Sequence, residues 1–237
     1  MNPSTSARVT VRNGVMSVLA IAAVTLAALH AADAPSAGAA VNASGEQPTR
    51  GNWNFETGDF QGWRTTHTGS GAWHVYSDAT TPPNPADSDP NFPFSVPRPP
   101  EGRFAAVTDM SAPGTRMLYR DVKPGDHAAL RMTVFYVNVG PFASPPTLQF
   151  RTHKPNQQFR VDLMDPAAPV ASLARKHILA TIFRTVPGDP DTLDPKTITL
   201  DLSRWANKKV RIRLAQVDNR GPLRAGVDDV RLQPTAP

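Results

Sequence analysis

The chain has 237 residues, 25 Lys and Arg against 20 Asp and Glu for a formal net charge of +5, 25 prolines and no cysteine. No disulfide can hold it, and its cations are scattered rather than run together, so it carries no nucleic-acid footprint. This proline content, with 7% aromatic and 19% charged residues, excludes a mainly helical fold and predicts short strands with many turns.

In chain order, Arg8 and Arg12 precede the apolar run VMSVLAIAAVTLAAL, and small residues follow that offer cleavage at Ala32-Asp33-Ala34 or Ala37-Gly38-Ala39. That layout predicts a secretory signal peptide over residues 1–34. The run is short for a span and no second apolar stretch follows, so the mature chain is expected in the periplasm or outside the cell, with no membrane span. Cleavage after Ala34 lowers the formal charge from +5 to +4, which leaves room for a diffuse attraction to acidic polysaccharide or an anionic surface. Residues 35–50 are small and polar and predict a flexible linker; a folded domain over 51–233 and a tail over 234–237 follow.

The domain opens with NWNFETGDFQGW over residues 52–63, where Trp53 and Phe55 alternate with Asn54 and Glu56 before a turn at Thr57, Gly58 and Asp59. It closes with AGVDDVRL over 225–232, which sets Asp228 and Asp229 among Val227, Val230 and Leu232. If the two ends meet, their carboxylates can share a hard cation, because Ca²⁺ takes several oxygen ligands. If they do not, these are ordinary turn and edge-strand acids.

Between the ends the period of two recurs. Residues 71–77 put Trp73 and Val75 on one face, His74 and Tyr76 on the other; 128–137 put Leu130, Met132, Val134 and Tyr136 on one face. The stretches 158–164, 197–202 and 210–214 alternate in the same way, and 103–108 is a less regular strand. Residues 178–185, ILATIFRT, are apolar on both faces and predict a central strand or a buried helical turn, with β-branched content favouring the strand. SRWANKK over 203–209 predicts a short helical turn with Trp205 capping the core. Strands of this kind, separated by Gly and Pro turns, predict an all-β antiparallel sandwich.

Two proline-rich excursions interrupt the strands. Residues 78–102 can be neither helix nor central strand. There Phe92 and Phe94 either present a stacking surface or fold back on the core; with Tyr76 they are the candidate ligand-binding aromatics. In 187–195, PGDPDTLDP, the acids Asp189, Asp191 and Asp194 lack the glycine and terminal glutamate of an EF-hand loop and are expected to form turns.

The opening NFETGDFQGW, the middle stretch MLYRDVKPGDHAALRMTVFYVN and the close ITLDLSRWANKKVRIRLAQVDNRGPLRAGVDDVRL together resemble exported bacterial domains of the galactose-binding-like jelly-roll class, which includes many carbohydrate-binding modules. The resemblance implies a jelly roll with a structural calcium held by Glu56 and Asp228, with Asp229 as a substitute and carbonyls near Asn54 assisting. It also implies that Phe55 and Trp63 are core residues. It transfers no sugar-contacting residue.

No His-Glu-x-x-His, Gly-x-Ser-x-Gly or phosphate loop is present, and the six histidines show no metal-ligand spacing. QFRTHKPNQQFR over 149–160 has residue types that polysaccharide lyases use, without a motif. The expected function is a non-catalytic module binding a polysaccharide or cell-surface glycan. The alternatives are a structural or adhesive domain that contacts protein or matrix, and a lyase or glycoside hydrolase.

Overall fold

A computed structural model of the chain describes residues 53–77, 97–109, 113–126 and 128–234. The expected signal peptide and linker, Phe92 and Phe94, and all but the first residue of the expected tail lie outside the described residues.

Among the described residues ten strands form: β1 (Arg64–Gly69), β2 (Trp73–Tyr76), β3 (Ala105–Thr108), β4 (Gly114–Val122), β5 (Ala128–Asn138), β6 (Gln158–Met164), β7 (Ile178–Arg184), β8 (Thr192–Asp201), β9 (Val210–Asp218) and β10 (Leu223–Pro234). They make two five-stranded sheets, β1-β4-β9-β6-β7 and β2-β3-β10-β5-β8, paired antiparallel throughout. The chain passes from one sheet to the other at nearly every connection, and the expected jelly-roll sandwich is the architecture found.

The alternating residues explain the layers. Leu130, Met132, Val134 and Tyr136 of β5, Phe159, Val161 and Leu163 of β6, and Val210, Ile212 and Leu214 of β9 meet in one buried core between the sheets. β6 and β9 are buried on their outer faces as well. There the β6–β7 connection lies over the first sheet: Arg211 donates to the carbonyl of Ala168, and Arg213 to those of Val170 and Ser172. Met117, Leu148, Ala215 and Val217 form a second apolar cluster under these connections.

The structure departs from the sequence expectation at four places. β1 is polar and exposed along nearly its whole length, so it offered no alternation to detect. In β4 the buried Arg116, paired with Gln216 on the core-facing side of β9, sits among Leu118 and Val122 and breaks the pattern. β7 is an edge strand rather than a central one; it lies along β8 of the facing sheet, and Leu179, Ile182 and Phe183 close the side of the core. The second excursion is shorter than expected, because Asp194 and Pro195 belong to β8. That strand is itself an edge, where a proline costs no ladder bond on the solvent side. The predicted turn at 203–209 is present as a 3₁₀ turn over Ser203–Trp205. Among the described residues no helix is long and apolar enough to cross a membrane.

Candidate metal centre

Phe55 is fully buried, stacked on Trp63 with centroids 5.7 Å apart and edge-on to Phe60 at 6.1 Å. It adopts φ 68°, rare for a residue with a side chain, and its carbonyl accepts from the Gly58 amide at 2.8 Å. Ring burial therefore supports the strained turn that carries Glu56. The Glu56 carboxylate accepts from the backbone amides of Arg103 (2.9 Å) and Phe104 (3.1 Å). Gly102, immediately before these partners, has φ +60°, and a Cβ there would lie 2.4 Å from the Glu56 carboxyl carbon. Only glycine fits that approach.

The other wall is β10. Leu223, Ala225 and Val227 face the core, and beyond a bulge between Asp228 and Arg231 the core-facing residues become Val230 and Leu232. Asp229 is the residue that shifts the parity, with φ 51°. Asp228, just before the bulge, is fully buried; its Oδ2 accepts from the Glu101 amide and its Oδ1 from the Asp229 amide, both at 2.7 Å. Glu101 in turn accepts from Asn54 Nδ2 at 3.0 Å.

Carboxylate oxygens of Glu56, Glu101 and Asp228 consequently lie within 4.8 Å of one another. Burial, with the neighbouring charges of Glu101 and Glu56 adding to it, pushes the Asp228 carboxyl up to about 8 against the pull of its two backbone hydrogen bonds. The donor set fits a hard cation. All three groups supply oxygen, the choice for Ca²⁺ or Mg²⁺ rather than a thiophilic metal, and each is oriented by an N–H that leaves other lone pairs free.

Glu56 and Asp228, far apart in sequence, are thus brought together. Glu101 was missed, since a lone acid at the end of a proline-rich stretch shows no periodicity. Asp229 is carried elsewhere by the bulge: it pairs with Arg131 at 2.5 Å and Arg231 at 3.3 Å and is not among the converging carboxylates. Asn54 contributes its side chain to orienting Glu101. Tyr76 does not offer its ring to a ligand; it is 2% exposed, packs with Ala105, Val107 and Phe135, and donates its hydroxyl to the Pro97 carbonyl at 2.8 Å.

Other buried charges are closed on themselves. Asp162 holds Arg160 through two bonds of 2.7 Å and also binds Arg213, and Arg116 bridges Asp109 (3.3 Å) and Asp218 (3.0 Å). In the run with lyase-like residue types, Asn156 donates to the carbonyls of Thr147 and Gln149, Gln157 to Asn138 and the Gly221 carbonyl, and Gln158 to Thr147. These amides clamp loops.

No protein-family model matches the sequence, and no curated protein matches it. Among solved structures, the chain is similar to TmCBM61, solved in complex with beta-1,4-galactotriose, at 15% identity and TM-score 0.44 over 77% of this chain and 95% of that one. A cleaved adhesin domain of the Lys-gingipain of Porphyromonas gingivalis is similar at 10% identity and TM-score 0.45 over 77% and 97%. A cyclase from Fischerella is similar at 18% identity and TM-score 0.33 over 80% and 98%.

Proposed function

We propose that the chain is an exported, non-catalytic binding module for carbohydrate, with a structural calcium held by Glu56, Glu101 and Asp228. The observation that carries this reading is the convergence of three carboxylates where the opening and closing stretches meet, since those two stretches are part of the sequence resemblance to carbohydrate-binding modules. Bound there, the cation would neutralise the mutual repulsion of the carboxylates. Glu56 ties the opening turn to the segment before β3, and Asp228 ties that segment to β10. The ion's work is then to fasten the opening turn to the closing strand in a domain that has no cysteine. The absence of a catalytic motif, and the enclosure of Asp162 and Asp218 in arginine pairs, support binding over catalysis.

A glycan array probed with the full exported chain in calcium tests the function. Saturable binding to at least one saccharide class is expected. Binding to none, with the protein folded, would sink the carbohydrate assignment and favour a structural or adhesive role.

A further inference from the structure

At the end of the sandwich where β9 begins, a cavity of about 380 Å³ opens beside the β8–β9 turn. Its apolar wall is Trp205, Leu179 and Val210, and its rim carries Arg204, Lys208 and Lys209. The volume lies in the range of small-molecule sites. Trp205 packs partly against the core, with the rest of the residue exposed to the cavity.

The turn that presents it is built rather than loose. Trp205 N donates to the Leu202 carbonyl at 2.8 Å and Lys208 N to the Trp205 carbonyl at 3.0 Å. Asn207, at φ 59°, is held through its backbone amide to the Pro124 carbonyl (2.8 Å) and its side chain to Asp126 (3.0 Å). Such a turn loses little freedom when a ligand arrives. The Arg204 guanidinium lies over the Trp205 ring, 5.7 Å from its centroid, so a cation stands at the aromatic wall of the cavity. Lys209 is shared with Asp121 at 3.7 Å. Asp165 is the one acid among the lining residues, and its Oδ1 accepts from the Ala167 amide.

We infer that this cavity binds an acidic saccharide: a sugar ring stacks on Trp205 while the carboxylate or sulfate it carries pairs with Arg204, Lys208 and Lys209. A flat apolar ring suits the C–H face of a sugar, and three cations against one acid select the anionic member of a neutral and anionic pair. Asp165 is left to accept from sugar hydroxyls. The inference deepens the carbohydrate reading above and rests on it.

The test is calorimetric titration of the full chain, at physiological ionic strength, with three trisaccharides: a uronate, a sulfated sugar and a neutral galactose oligomer. The expected result is at least about tenfold tighter binding of an acidic ligand than of the neutral one, about 1.4 kcal/mol; the carboxylated and sulfated arms identify the anionic group. Lys208→Glu, an exposed change that the fold tolerates, should remove the preference, and Trp205→Ala should remove binding. Lys154→Glu, beyond the far end of β9, should leave both intact. Neutral and acidic ligands binding equally would overturn the acidic site and leave the carbohydrate reading standing. Equal losses in Lys154→Glu and Lys208→Glu would also overturn it, since that is bulk charge attraction. Failure of every saccharide to bind would overturn both.

Discussion

Asp228 carries the clearest pH signature. Its carboxyl titrates at about 8 in the folded chain and at about 3.9 when unfolded. Between those values the folded chain keeps a proton that the unfolded chain has released, so without calcium this contribution to stability is full below about 3.9 and lost as pH rises through about 8. Urea unfolding in chelator should show stability falling across that window, and Asp228→Asn should flatten the fall; an unchanged slope in the variant would remove Asp228 as its cause. Gly102→Ala tests the cradle: strain at φ +60° and a Cβ 2.4 Å from Glu56 predict a loss of about 1–3 kcal/mol by urea unfolding together with weaker calcium binding. A neutral substitution would mean the segment yields without cost. At this scale the sequence exposed Glu56 and Asp228, because each stands beside a patterned apolar run. It hid Glu101, which follows Pro99 and Pro100 and precedes Gly102 with no alternating run around it, and it misplaced Asp229, because an αL bulge leaves no mark in a run of Val and Asp.

Among the elements, legibility followed burial on one face only. β5, β6 and β9 show their inward residues plainly because the period of two survives there. β1 is an exposed edge, β4 turns an arginine inward, and β7 is apolar on both sides because it closes the flank between two sheets. None of these can be told from periodicity. The outer face of β6 and β9 was legible as polar, yet it is buried beneath connecting segments, and its charges are paired for that reason. Asp162→Ala should therefore cost about 3–5 kcal/mol in urea unfolding, since it leaves Arg213 and Arg160 buried without their shared carboxylate. A loss below about 1 kcal/mol would mean that water or the loop carbonyls replace it.

For the whole molecule, the sandwich follows from many short alternating runs, and the place where the domain's opening and closing stretches meet follows from β10 lying beside β3. A binding face does not emerge from such patterning, because an exposed aromatic and a buried one look alike in sequence: Tyr76, a candidate ligand contact, is buried. A chain with no cysteine has to fasten its opening turn by other means. The carboxylate cluster is the place where one ion would do so, joining three segments that are distant in sequence.

Thermal unfolding of the full chain in chelator and in calcium at about a hundredfold over Kd, beside Glu56→Ala and Asp228→Ala, decides whether the three carboxylates hold a cation. Selective binding to the folded state at that excess gives about 2.7 kcal/mol and a midpoint rise of about 5–10 °C for a domain of this size. That rise is expected in the native chain, with its loss in both variants. An unchanged midpoint in the native chain, or a rise that survives both substitutions, would contradict it.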